Sequence, residues 1–212
     1  MLQAGRCTLY TMAYPSKTSR RKIVVAALKL LARDGLAAVS LRLLARELRV
    51  TPNALYRYFP DRKSLGQAIA ADVAGAFHAV LVRAVGNKGP EESIRAIARA
   101  YLKFARERKF LYEALLVPRP ASGEEAVAPE KLWRFAMQHA ARVAGEARAA
   151  EATMAFWAFL HGMAALQSAD AFGEEQPFSS FEFGLGAWMN AARAMRDAEV
   201  LGRKRGERRR RF

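Results

Sequence analysis

The sequence predicts an all-α protein, and three observations carry that reading. Apolar residues recur at i, i+3, i+4 spacing in segment after segment, helix-starting caps stand at Ser40, Thr51-Pro52 and Asp61, and no stretch reads as a strand. About nine helices are expected. They divide into an N-terminal unit over residues 18–69 and a second unit over 70–202, with an arm of residues 1–17 before them and a basic tail, 203–212, after them. A chain of 212 residues with 52% hydrophobic content can enclose a substantial core in one or two domains.

Residues 1–17 lack the continuous apolar stretch of a secretory signal and are expected to form a disordered arm, with Met12 as an alternative start. The sole cysteine, Cys7, lies in this arm. It excludes an intramolecular disulfide and suits a cytoplasmic protein. No apolar run of membrane-spanning length stands out, so no membrane association is expected.

Residues 40–65 read as two short helices joined by a turn, followed by a third helix. Ser40 offers a capping oxygen to a helix over 41–48, whose Leu44, Ala45 and Leu48 share one face. Arg49-Val50 breaks that helix. Thr51-Pro52 restarts one, a capping hydroxyl followed by proline at the first helical position, where its missing N–H costs nothing. This second helix is expected to reach residue 59, with Leu55 and Phe59 inward. That leaves Thr51, Asn53, Ala54, Arg57 and Tyr58 outward and Tyr56 at the edge. Short side chains near a helix N-terminus allow close approach to base edges, and neighbouring Arg and Tyr groups hold phosphates. Two short amphipathic helices also occur as plain packing in helical proteins. The nucleic-acid reading gains from Asp61, which caps a third helix whose first turn carries Arg62 and Lys63.

On these residues the region 19–69 resembles the DNA-binding domain of the tetracycline-repressor (TetR) family. Ile23, Ala27, Leu30, Leu31 and Gly35 resemble its first helix and glycine stop. Ser40, Leu44, Ala45, Val50 and Thr51 fit its helix-turn-helix frame, and Leu55-Tyr56-Arg57-Tyr58-Phe59 is similar to its Leu-Tyr-x-His/Tyr-Phe signature. Arg62 stands where the family usually has lysine, and Leu65 completes the match. Arg49 departs from it, occupying a turn position where the family usually has glycine. A left-handed conformation there costs roughly 1 kcal/mol. The resemblance implies that Tyr56, Tyr58 and Arg62 contact the DNA backbone, with Ser40 beside them. Base readout is expected from Arg42, Thr51, Pro52, Asn53, Ala54 and Arg57. Asn53 suits adenine, Arg42 or Arg57 suits guanine, and Pro52 and Ala54 suit thymine methyls.

The third helix is expected to continue past the DNA-binding unit to residue 85, ending at Gly86-Asn87-Lys88-Gly89-Pro90, and so to link the two units mechanically. Further helices are expected over 90–108, 110–117 and 130–145, with residues 118–129 as a loop. Residues 149–171 form the longest apolar helix. Its Ala155, Ala158, Gly162, Ala165 and Ala169 make a stripe of small residues that admits another helix closely. Trp157-x-x-x-His161-Gly162 resembles the tryptophan-histidine-glycine motif of one TetR C-terminal subgroup. A last helix over 180–201 carries Phe181, Leu185, Trp188, Ala192 and Met195 on one side. These two helices look like the family's dimerisation pair, which places Ala158, Gly162, Ala165, Leu185 and Trp188 at a two-fold interface. Tyr101, Phe104, Trp133, Met137, Met154, Phe156, Trp157 and His161 read by their helical spacing first as core packing; only the resemblance implies a ligand site among them.

Charge separates the parts. Residues 1–70 hold 13 Lys/Arg against 3 Asp/Glu, residues 71–202 hold 15 against 16, and residues 203–212 hold 7 against 1, so the net +15 sits at the N-terminal unit and the tail. That distribution fits phosphates bound at one end of the molecule. The tail has no apolar periodicity and reads as a solvated arm. No phosphate-cradling glycine motif and no His-x-x-x-His or Cys-x-x-Cys spacing appears, and the three histidines, His78, His139 and His161, all fall on expected helices. No catalytic residue, metal or cofactor is expected. The resulting reading is a regulator that binds a palindromic double-stranded DNA operator as a homodimer, most simply as a repressor, and is released by a small hydrophobic or aromatic effector. A non-specific basic architectural protein and a helical small-molecule-binding enzyme are the alternatives. Steep preference for one palindrome excludes the first, and turnover of a ligand would revive the second.

Overall fold

The computed structural model describes residues 18–118, 120–173 and 178–209, with side chains as far as residue 202. The arm of residues 1–17, with Cys7 and Met12, and the last residues of the basic tail lie outside the described residues. Among those described there are nine α-helices and no strand.

Helix α1 (Arg20–Asp34) starts where the Ser19 hydroxyl accepts from the Lys22 amide, and it buries Ile23, Ala27, Leu30 and Leu31 along one face. Gly35 ends it at φ +80°. Helix α2 (Leu41–Glu47) is capped by Ser40, whose hydroxyl accepts from the Leu43 amide at 3.2 Å. Helix α3 (Pro52–Tyr56) is shorter than expected: the Tyr58 and Phe59 amides both return to the Leu55 carbonyl, and Pro60 disfavours helical backbone at Phe59 before it. Thr51 occupies the N-cap position, but its hydroxyl makes no capping bond. Arg49 turns the chain between α2 and α3 at φ +52°, the left-handed conformation expected where the family has glycine.

Helix α4 (Arg62–Val85) begins with a reciprocal cap. Ser64 donates its amide to Asp61 at 2.7 Å, and the Asp61 amide donates to the Ser64 hydroxyl. Hydrogen bonding from Ser64, its amide first, holds the Asp61 carboxyl below the usual carboxylate range. Its apolar residues are buried nearly all round, against α1 at one end and α5 (Pro90–Glu107), α6 (Lys109–Ala114) and α7 (Glu124–Ala144) along its length. Contrary to the sequence expectation, α4 is long and apolar enough to cross a membrane by length and composition. The structure uses that apolarity to fill its own core.

Helix α7 starts within the stretch expected to be a loop, and Pro129 lies inside it. Proline leaves only the Glu125 carbonyl without its i+4 donor, a small loss so near the helix start, and Ala128 packs against Gly75 of α4. Helix α8 (Ala149–Ser168) buries Ala152, Phe156, Leu160 and Ala164. Helix α9 (Phe178–Arg209) buries Phe181, Leu185, Met189 and Ala192 against the rest. Its backbone remains helical through 203–209, where the sequence pattern predicts a solvated arm; the Arg, Lys and Glu of that stretch are good helix formers. Two ion-pair clips fix α9 to α5. Arg193 holds Glu91 through two bonds of 2.7 Å, and Arg95 and Arg99 converge on Glu182.

Candidate DNA interface and effector cavity

Helix α2 packs on α1 and α3, and Leu44 and Ala45 of α2, Leu55 of α3 and Phe59 just beyond it are all fully enclosed. That packing leaves one side of the pair to solvent. Arg42, Thr51, Pro52, Asn53 and Arg57 are exposed there, with Ala54 half-buried and Tyr56 47% exposed. Ser40 is exposed as well, at the N-terminus of α2, where amide groups favour a phosphate. The readout candidates are therefore open to solvent, Ala54 in part.

Two expected backbone contacts are engaged within the protein. Tyr58 is turned inward: its hydroxyl donates to the Thr18 carbonyl at 3.0 Å, and its own carbonyl accepts from Arg20 at 3.1 Å. With α3 ending at Tyr56 and Tyr58 in the turn that follows, the outward position read from helical spacing is not realised. Arg62 stays exposed but spends one guanidinium nitrogen on the carbonyls of Leu36 and Ala37, at 3.1 and 3.4 Å, pinning the start of α4 to the turn after α1.

A cavity of about 520 Å³ lies among α4, α5, α7, α8 and the end of α6. Tyr101, Trp133, Met154, Phe156, Trp157 and His161, six of the eight residues among which a ligand site is expected, line it. Phe104 and Met137 do not. Phe104 packs on Phe77 at 4.7 Å between ring centroids, and Met137 lies outside the lining. Gln67, Phe77, Leu115 and Glu125 also contribute, and no periodicity could have marked them, because each comes from a helix placed there by tertiary packing.

Polar groups meet at one side of the cavity. The Tyr101 and Tyr112 hydroxyls lie 3.1 Å apart, and the Tyr112 hydroxyl lies 2.5 Å from Nδ1 of His161. Burial, with the Tyr112 contact adding to it, pushes the Tyr101 phenol well above its usual range; burial also raises Tyr112. Both therefore remain neutral hydroxyls at physiological pH. Among the described residues no cluster of His, Cys, Asp or Glu is suited to hold a metal.

On α8, Ala155, Ala158 and Ala165 are exposed, as is Ala169 just past its end, and a Cβ built on Gly162 would meet nothing within 4 Å. Beside them stand Met154, 49% exposed, and Trp157, 42% exposed, with Phe183 of α9 at 80%. Leu185 and Trp188, expected at the interface, face the core. Leu185 is fully enclosed by its own chain, and the Trp188 indole N–H donates to the Ala152 carbonyl at 3.0 Å. Those two residues pack α9 onto α8 within one protomer; the open face carries Phe183, Ala187, Ala191 and Ala194 instead.

Comparison with known proteins bears on both halves. Residues 23–69 match the bacterial regulatory proteins of the tetR family, and residues 94–187 match a tetracyclin repressor-like C-terminal domain, a match that does not single out the tryptophan-histidine-glycine subgroup. An uncharacterized HTH-type transcriptional regulator of Mycobacterium tuberculosis is 26% identical over 174 residues, covering 78% of this chain and 77% of the relative. Another, from Bacillus subtilis, is 24% identical over 176 residues, covering 81% and 91%. Among solved structures, a protein of unknown function from Rhodococcus sp. RHA1 superposes with a TM-score of 0.67 at 24% identity, over 85% of this chain and 97% of that one. A variant of TetR from Acinetobacter baumannii in complex with minocycline superposes at 0.62 and 23% identity, over 84% and 98%. The structural likenesses establish the fold.

Proposed function

The chain belongs to the tetR family of bacterial regulatory proteins and is a DNA-binding transcriptional regulator, and from that premise we propose that it is an effector-released repressor working as a homodimer in the cytoplasm. Two α2–α3 units, related by a two-fold axis, hold the half-sites of a palindrome. A small hydrophobic or aromatic molecule enters the α4–α8 cavity and releases them. No resident cofactor or catalytic group takes part.

One observation carries this reading. Helix α4 is continuous from Arg62, which is bonded to the turn of the DNA-binding unit, to Phe77 and Leu81, which wall the cavity. A molecule that displaces the middle of α4 displaces its start, and with it α2 and α3. A structural neighbour crystallised in complex with minocycline shows that a protein of this fold can hold a small molecule.

Selection of bound duplexes from a random pool, followed by titration of small molecules into the selected complex, tests the proposal. The expected outcome is one palindrome whose half-sites lie about 34–36 Å apart, bound with steep preference over random DNA. Uniform affinity for all duplexes would establish the architectural alternative instead.

A further inference from the structure

Among the described residues lining the cavity, Glu125 is the only acid, and no Lys or Arg accompanies it. It already holds a cation. The guanidinium of Arg20, from α1, pairs with its carboxylate across the junction between the DNA-binding unit and α7. Among the described residues Arg20 makes two further contacts, both within the DNA-binding unit. It donates to the Tyr58 carbonyl at 3.1 Å and lies over the Phe59 ring, 4.3 Å from its centroid.

Most of the remaining lining is apolar and aromatic, with Phe77, Trp133, Phe156 and Trp157 in its walls and Gln67, Tyr101, Thr153 and His161 as its other polar groups. A carboxylate beside such walls demands a counter-ion, because a partly buried charge left unpaired is costly. Indole faces attract ammonium and guanidinium groups, and they offer nothing comparable to an anion. An anionic guest would meet like charge at Glu125. A neutral guest would gain from the walls and leave the carboxylate to Arg20.

We propose that the cavity takes hydrophobic cations, an aromatic body carrying one ammonium or amidinium head, and that the head binds Glu125 in competition with Arg20. This names the chemical class of the effector on which the repressor reading rests. It also names the link that the guest breaks, since displacing Arg20 from Glu125 detaches α1 from α7. Arg20 is then a positioning residue whose release is the signal passed to the DNA-binding unit.

Equilibrium dialysis of the full chain against three matched probes tests this without DNA. The probes are naphthylmethyl-trimethylammonium, its uncharged isostere in which a tert-butyl group replaces the trimethylammonium, and naphthylacetate. The wild type is expected to bind the cation about tenfold more tightly than the isostere, with the carboxylate weakest, as a close charge pair in a partly desolvated site requires. Glu125→Gln should bring cation and isostere within about twofold of each other by weakening the cation alone. Arg20→Gln should strengthen the cation and leave the isostere unchanged. Equal binding of cation and isostere by the wild type overturns the proposal, and that comparison needs no variant to fold. A preference that survives Glu125→Gln, or a cation affinity unmoved by Arg20→Gln, overturns it too. Failure to find any operator would remove the repressor reading and leave these affinities as they are.

Discussion

The ring of Phe110, in α6, packs against Gly35, the residue that ends α1: a Cβ built on that glycine would stand 3.2 Å from two of the ring's carbons. The contact joins the DNA-binding unit to the short helix whose end leads into the cavity wall at Leu115. Gly35 also sits at φ +80°, where any other side chain is strained. Gly35→Ala should therefore destabilise the protein by about 1–3 kcal/mol through strain and overpacking together. Urea denaturation reads this, and Phe110→Leu in the same chain should recover part of the loss. An unchanged midpoint in Gly35→Ala would show that the contact carries no strain.

Asn53 lies exposed in the first turn of α3. A side-chain amide there can pair with both major-groove edge atoms of adenine, worth about 1–3 kcal/mol of discrimination. Asn53→Ala should relax one position in each half-site of the selected motif. An identical motif from wild type and variant removes Asn53 from the readers.

Arg62 has a double role. Its guanidinium ties α4 to the Leu36 and Ala37 carbonyls, and it remains open to a phosphate. Arg62→Ala should weaken all duplexes alike and lower the salt slope of binding by about one unit for each protomer bound. A changed sequence preference at constant salt slope would assign it to base reading instead.

Gly162 separates assembly from folding. The space around it is empty within the protomer, so Gly162→Leu should leave the monomer's stability nearly unaltered while obstructing close approach of a second α8. Sedimentation is expected to find a dimer for the wild type and a monomer for the variant, with operator binding lost. A monomeric wild type, or a monomeric variant with full operator affinity, contradicts the dimer.

Burial holds the His139 imidazole below its usual range, and its Nδ1 has no hydrogen-bond partner among the described residues. Burial depresses His78 in the same direction. An unfolded imidazole takes its proton near pH 6.5, while the folded ones wait for lower pH, so between those values the unfolded state holds more protons. Stability present above the unfolded value is thus lost as pH falls. The urea midpoint should drop between about pH 7.5 and 5.5, and drop less in His139→Leu, which keeps only the His78 contribution. Equal drops in both proteins would rule out His139 as a source.

Local chemistry makes much of this fold legible in the sequence. The caps at Ser40 and Asp61 and the enclosed face of α1 follow from local residue patterns, and the left-handed Arg49 from the family resemblance. The departures arise where distant segments meet. Helical spacing puts Tyr58 outside only for an α3 that reaches residue 59, whereas the bonds returning to Leu55 end it at Tyr56. Leu185 and Trp188 do share one side of a helix, but periodicity says only that a face is covered, and here α8 of the same protomer covers it. The pairing of Arg20 with Glu125 leaves no trace in either residue's neighbourhood, since the two helices that present them are brought together by packing alone.

A single apolar cluster runs without interruption from Ile23 in α1, through α4, to Ala192 in α9. Its continuity ties the folding of the two halves together. Ile69 and Val73 belong to the same cluster as the residues of α1 and as those of α5 and α7, so neither half can lose its structure without exposing apolar surface on the other. Unfolding of one protomer is then a concerted event with one transition. The small N-terminal unit is thereby expected to melt with the larger helical body behind it, not ahead of it.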